Sequence, residues 1–448
     1  MPPVIEKIKQ AAQLHQAGRL QEAVDLYQEI LRAEPRDWEV QYNMGNALRM
    51  LGKFGEAMQA YILAIRHRPD FAQAHNDLGV AFAEIGRWQD ATAALRRAVV
   101  LLPNLTGAYN ALGIAHKEQG QAAEAIPCFD RALCCQPGLP DAHFARGECS
   151  LQTGDWLSGW KDYRHRFGIR YLNFNPRRYP QPMWHGEPGQ GRTLLLWAEQ
   201  GFGDTIQFCR FAPVLAQHGW RVIVEVPQEL KRLVATLPGI SLVSGYGEAP
   251  PAFDVQFPLL DLPGAFGITP DNLSAAPYLA AAPLAGSWRD RLDALPGAKI
   301  GIVWRGRTTN IRERWRGASA ELFSRFTATP GLSFVSLQRD SRPDELSKLG
   351  PQVLDASAGL NDFADTAAMI ASLDLVITTD TAVCHLAGAL GVPTWVLLDA
   401  GADWRWLQER GDSPWYGSMR LFRQPQAGDW AAVAEDVQRA LGEVVAQA

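Results

Sequence analysis

The sequence lacks most of what marks a membrane, secreted or nucleic-acid-binding protein. No apolar run is long and unbroken enough to span a bilayer. The nearest, 382–398, is interrupted by His385, Gly388, Gly391 and Pro393 and parses better as helix, turn and strand. The N-terminal MPPVIEKIKQ has no signal-peptide core, so a cytoplasmic location is expected. Six cysteines (Cys128, Cys134, Cys135, Cys149, Cys209 and Cys384) show neither metal-ligand nor redox spacing. They read as free thiols of a reducing compartment, and no metal site is expected. Positive charge is in no surplus: the net charge is −5. A cut after Phe167 leaves 18 basic and 19 acidic residues before it, and 25 and 29 after it, matching the 43 and 48 of the whole chain. Nucleic acid is thereby a poor partner, because phosphate-backbone binding needs a concentrated positive face. The G-x-G-x-x-G of a dinucleotide fold is also missing from the one glycine-rich turn that follows a strand pattern, 201–205.

What is present is a strong period. Pro35, Pro69, Pro103 and Pro137 are 34 residues apart, as are Ala23, Ala57, Ala91 and Ala125, and Gly45, Gly79, Gly113 and Gly147. Gly18, Gly52, Gly86, Gly120 and Gly154 keep the same step. This is the signature of the tetratricopeptide repeat (TPR), a helix–turn–helix unit that stacks into a solenoid. Small residues let the two helices approach. A glycine ends the first helix and a proline ends the second. Four repeats fit at 4–37, 38–71, 72–105 and 106–139, and a fifth starts at Pro140 and departs from the pattern near Trp156. Such a groove binds peptides or serves as a rigid spacer. Asn43, Asn46, Asn76, Asp77 and Asn110 fall on first helices. They suit hydrogen bonding to a peptide backbone, or simply a solvated face.

The period then changes. After a Pro/Gly/Asn/Arg-rich linker at 168–192, apolar runs at 193–199, 221–226, 241–244 and 253–257 alternate with helical patterns at 206–218 and 228–237. A second set follows, with strands at 300–304, 333–337, 374–378 and 394–398 and helices at 320–327, 362–373 and 382–390. An amphipathic helix at 430–447 closes the chain. Alternation of this kind predicts parallel sheets covered by helices. The fold class is therefore α + α/β: a repeat array at 1–167, a first Rossmann-like lobe with its linker at 168–285, and a second lobe with a closing helix at 286–448.

Three segments fall where ligands bind in such folds, beyond the carboxyl ends of strands. In the turn 199–205, Gly201 and Gly203 permit a tight bend before a helix. Asp204 fits two roles there, a helix N-cap or the general base for an acceptor hydroxyl. In Asp380-Thr381-Ala382-Val383-Cys384-His385, a helix start offers N–H groups and a favourable dipole to a diphosphate. Asp380 suits sugar hydroxyls and Thr381 suits phosphate, while His385 fits either the site or the core. In the third, Arg305, Arg307, Arg312, Arg314 and Arg316 follow the first strand of the second lobe, and guanidinium groups suit phosphates.

The segments WAEQGFGDTIQFCRF (197–211), DLVITTDTAVCHLAGALGVPTWVLL (374–398) and DWRWLQERGDSPWYGSMRLFRQ (403–424) resemble the bacterial TPR-fused glycosyltransferases related to the heptosyltransferase family. The resemblance implies a GT-B fold and metal-independent, inverting transfer from a nucleotide sugar, with no other cofactor. It implies Asp204 as base, and Asp380, Thr381 and His385 at the donor. It also implies a C-terminal helix crossing back to the first lobe. Ala382 stands where the family has glycine, and Arg305 to Arg316 occupy the region of its phosphate-binding lysine. The front of the chain resembles protein O-GlcNAc transferases, whose repeats carry asparagines, and Asn43 and Asn46 match that pattern. Relatives of this kind suggest a protein acceptor in the TPR groove, with flagellin as one candidate. The alternatives are a lipid-linked or polysaccharide acceptor, for which no basic or amphipathic membrane-facing helix is evident, and a non-catalytic scaffold.

Overall fold

The computed structural model describes residues 2–169, 179–307 and 316–447. The chain divides into two compact units, Met1–Ser150 and Leu151–Ala448.

The first unit is a helical solenoid. Helices α1 (Pro2–Gln16) and α2 (Leu20–Ala33), α3 (Trp38–Met50) and α4 (Phe54–His67), α5 (Ala72–Glu84) and α6 (Trp88–Leu101), and α7 (Thr106–Glu118) and α8 (Ala122–Cys135) form successive pairs. Helix α9 (Pro140–Gln152) follows. Each first helix stops at a glycine in the left-handed region, from Gly18 at φ 74° to Gly154 at φ 94°, which side chains with a Cβ rarely adopt. Each of α2, α4, α6 and α8 ends two residues before its proline. Within a pair the glycines are there for closeness: a Cβ on Gly45, Gly79 or Gly113 would lie 2.6 Å from Tyr61, Leu95 or Phe129. Those partners are fully buried and themselves one period apart.

The second unit opens with α10 (Trp156–Tyr163) and contains two parallel sheets. The first has β1 (Thr193–Trp197), β2 (Arg221–Val226), β3 (Ile240–Gly245) and β4 (Val255–Pro258) in the order β3-β2-β1-β4, with α11 (Phe202–Phe208) and α12 (Ala212–Gln217) after β1. The second has β5 (Ala298–Val303), β6 (Leu332–Ser336), β7 (Leu354–Asp355), β8 (Leu375–Thr379), β9 (Thr394–Leu398) and β10 (Met419–Arg423) in the order β10-β9-β8-β5-β6-β7. Its helices are α13 (Gly286–Asp293), α14 (Ala320–Thr327), α15 (Pro343–Leu349), α16 (Phe363–Ile370), α17 (Ala382–Leu390) and α18 (Trp430–Gln447). Strand order turns between β1 and β4 in one sheet, and between β5 and β8 in the other. The segments leaving β1, β5 and β8 therefore emerge at the switch points where open α/β sheets take ligands.

Four features differ from expectation. The helix expected at 206–218 is two: α11 starts earlier, at Phe202, because Asp204 binds back to the Gly201 N–H, and Pro213 opens α12. Strands β7 and β10 carried no sequence signal. The C-terminal helix packs in the core of the second sheet among the described residues, with Val433, Val437 and Leu441 of α18 against Ile300, Phe323 and Phe326. Finally, the repeat register runs past the first unit. Helix α10 begins 34 residues after α8, yet Trp156 stacks on Trp415 at 5.0 Å and Trp160 meets Trp404 edge-on at 5.3 Å. Aromatic burial thus places this last repeat helix in the α/β unit. Among the described residues no helix is long and apolar enough to cross a membrane.

Candidate functional site

The turn after β1 is built by α11. Gly201 is its N-cap residue and Asp204 its third residue, so Asp204 is not the N-cap. Asp204 Oδ2 accepts the Gly201 N–H at 2.8 Å. Its other oxygen, Oδ1, accepts from Arg405 Nη2 at 2.5 Å. Gly203 is glycine for proximity: a Cβ there would lie 2.7 Å from His385 Cδ2 and 3.6 Å from the Ala382 Cα. The absence of a side chain at 203 lets α11 press against the start of α17. The structure thus brings the first two segments together.

At the start of α17, Thr381 is the N-cap residue, but its hydroxyl lies 3.1 Å from Thr378 Oγ1 rather than on the helix N–H groups. Asp380 is buried, with Oδ1 3.8 Å from His385 Nε2 and Oδ2 3.7 Å from Arg316 Nη1. Burial raises the Asp380 carboxyl above its ordinary range, against the pull of Arg316. His385 stacks on Trp406 with ring centres 5.4 Å apart, and its Nδ1 lies 3.0 Å from Tyr416 Oη. Burial, reinforced by Arg405, Arg316 and Arg210, lowers this imidazole to about 3, so it is neutral at physiological pH. Asp380, Cys384 and His385 place three metal-capable atoms within 4.8 Å of one another.

The arginine run divides. Arg305 is tied to its own lobe: Nε and Nη2 reach Glu345 at 3.0 and 2.9 Å, and Nη1 reaches Asp340 at 2.7 Å. Glu345 is held down at about 2: burial opposes this, but bonds from Arg305 and the Arg342 N–H prevail. Arg307 is exposed and lies 4.2 Å over the Phe202 ring, beside the glycine turn. Arg316 faces Asp380. Arg312 and Arg314 lie outside the described residues.

A fourth segment, which sequence reasoning assigned no role, completes the cluster. The loop between β9 and β10 carries Asp403, Trp404, Arg405, Trp406, Trp415 and Tyr416. Arg405 is buried, and each nitrogen of its guanidinium has a partner: Nε with Gln207 Oε1 at 2.6 Å, Nη1 with Asp403 at 2.8 Å, and Nη2 with Asp204. Asp403 and Asp204 hold it protonated against the cost of burial. Arg210 of the first lobe donates to the Trp415 carbonyl at 3.0 Å and lies 4.2 Å over Tyr278. The link back to the first lobe, expected of the last helix, is made by this loop. Its only sequence trace was its place in the block 403–424.

Glu199, two residues past β1, is consumed by structure. Arg166 is fully buried and grips Glu199 at 2.6 and 2.8 Å and Asp261 at 2.7 Å. In the array, the amides do not form an open row. Asn46 accepts from Tyr61 at 2.8 Å, Asp77 from Tyr42 at 2.6 Å, and Asn76 donates to Asp77 at 2.9 Å. Asn43 is half-buried, and the Asn110 amide oxygen is buried with no hydrogen-bond partner among the described residues.

Comparison with known proteins locates the likeness. Tetratricopeptide repeat models match residues 10–65 and 110–157, and a further TPR repeat model matches 45–86. Protein FlbA of Caulobacter vibrioides (strain ATCC 19089 / CIP 103742 / CB 15) is 28% identical over 335 residues, 67% of this chain and 55% of FlbA. The chain thus spans about half the length of that relative, and the likeness extends beyond the array into the α/β unit. Similar solved structures include MamA, at 23% identity and TM-score 0.34 over 35% of this chain and 92% of that one. They also include YrrB, described as a TPR protein with an unusual peptide-binding site, at 22% identity and TM-score 0.34 over 38% of this chain and 88% of that one. The front of the chain is a TPR helical solenoid, and a parallel-sheet α/β region follows it.

Proposed function

We propose that this protein is a metal-independent, inverting glycosyltransferase of GT-B type, which moves a sugar from a nucleotide-sugar donor to a hydroxyl of a protein held by the TPR array. The observation that carries this reading is a chain of contacts at the switch points of two parallel sheets: Arg405 bonds Asp204, Gly203 abuts His385, and Asp380 lies beside both His385 and Arg316. The acceptor O–H gives its proton to Asp204 as its oxygen bonds the anomeric carbon. The C–O bond between the anomeric carbon and the nucleotide's phosphate breaks, and its electron pair leaves on the phosphate. Arg316 and the start of α17 receive that charge, and neutral His385 holds the sugar side without competing for the proton. The cytoplasm supplies such donors, and flagellin is the first acceptor to try.

A thermal-shift screen over UDP-, ADP-, GDP- and CMP-sugars tests the donor half: a ligand at about 100 times its Kd stabilises by about 2.7 kcal/mol. Arg316→Ala should abolish that shift. Arg305→Ala should lower the melting temperature without weakening the donor, because its partners are Asp340 and Glu345. No shift with any nucleotide sugar, and no sugar transfer to a protein, would refute the reading.

A further inference from the structure

We propose that Arg405 is a positioning residue that acts through Asp204, and that α10 holds Arg405 in place. The inference rests on the transferase reading above. It assigns a task to a loop and a repeat helix that this reading leaves without one.

Asp204 sits in the first turn of a seven-residue helix. Without a partner its carboxylate is free to turn about χ1 and χ2. The Gly201 N–H fixes one oxygen and Arg405 the other. Each oxygen keeps a lone pair for an incoming proton. Arg405 itself is held in place, since Gln207 and Asp403 bind its other two nitrogens and its Cζ lies 4.3 Å over the Trp404 ring. It is therefore a fixed brace rather than a mobile substrate ligand.

The backbone beside Arg405 shows that this geometry is imposed. Leu407 has φ 54° and ψ −172°, a region natural to glycine, and Glu409 has φ 59°. Such strain persists only where the surroundings over-determine it. Two sets of contacts do so. Arg423 of β10 donates to the Trp406 carbonyl at 2.5 Å and the Arg410 carbonyl at 3.2 Å. From the other side, α10 packs Trp156 on Trp415, and Trp160 and Tyr163 on Trp404, the neighbour of Arg405. Helix α10 occupies the register of a second helix of a fifth repeat, one period after α8. A helix that belongs to the array by sequence thus forms part of the wall behind the base.

The test is a double-mutant cycle on the full chain, reading kcat and donor KM. Arg405→Met should lower kcat by about tenfold to a hundredfold, the range expected when a catalytic group is misplaced. Donor KM should hold. On an Asp204→Asn background the same change should cost almost nothing, because the group it positions is gone. Arg405→Lys, which keeps the charge but not the fork, covers the case in which Arg405→Met does not fold, and should show the same split. Trp156→Phe should give a smaller kcat loss that also vanishes with Asp204→Asn. A wild-type chain that transfers sugar while Arg405→Lys or Arg405→Met loses as much on the Asn background as alone would overturn the positioning role and leave the transferase reading standing. A wild-type chain that neither binds nor transfers any nucleotide sugar would overturn both.

Discussion

The repeat array and the α/β unit solve the same packing problem by opposite means. In both, a glycine is present because a neighbour would collide with a Cβ: Gly113 against Phe129 at 2.6 Å in the array, and Gly203 against His385 at 2.7 Å in the α/β unit. Gly113 and Phe129 are 16 positions apart and recur each period, so the contact is local and repeated. Gly203 and His385 are distant in sequence, and the contact occurs once. A repeated local contact stores stability that can be lost piecemeal. A single non-local one positions groups that have no substitute.

The largest expected effect separates two ways of removing the array. A chain beginning at Leu151 keeps α10, Arg166 and the tryptophan cluster, and should bind donor while losing its protein acceptor. One beginning at Gly168 strips Trp156 and Trp160 from the loop and leaves Glu199 and Asp261 buried without Arg166. Breaking a buried pair costs about 3–5 kcal/mol, so this shorter chain should fail to fold, as circular dichroism and a melting curve would show. Equal folding of both would return α10 to the array.

Next is Asp204→Asn, which keeps size but cannot take a proton at neutral pH. Transfer should fall about 10²–10⁴-fold with donor affinity unchanged, measured by initial rates and calorimetry. Near-normal turnover would leave Asp204 only its structural bonds to Gly201 and Arg405.

The two glycines sharpen the comparison directly. Gly113→Ala and Gly203→Ala meet similar clashes, and overpacking of this kind costs about 1–3 kcal/mol. Gly113→Ala should lower stability with kcat intact, whereas Gly203→Ala should lower kcat out of proportion to stability. Parallel losses in the two variants would mean that the α11–α17 contact is scaffolding alone.

The most gradual effect is one of pH. His385 is held at about 3 rather than its ordinary 6.5. Below 6.5 the unfolded chain takes up a proton that the folded one refuses. The stability is therefore present above 6.5 and is lost as pH falls toward 3, by up to about 1.4 kcal/mol per pH unit. Denaturant unfolding of wild type against His385→Gln isolates this slope from that of Asp380, whose raised carboxyl acts with the opposite sign. An unchanged slope in the variant would place the imidazole in water.

The sequence by itself determined the solenoid, because each repeat contacts its neighbours and every contact returns at the next period. It also determined most strands and the segments after β1, β5 and β8, since a buried parallel strand is an apolar run followed by a turn. It did not contain the short β7, nor β10, whose Arg420 and Arg423 break the apolar run. Only the tertiary structure decided that Arg305 serves its own lobe, that α10 leaves the array, and that Arg405 meets Asp204 across 201 residues of chain. An ion pair leaves no periodic trace in either partner's neighbourhood. Its existence depends on where two sheets bring their loops, and that is fixed by the packing of the whole unit.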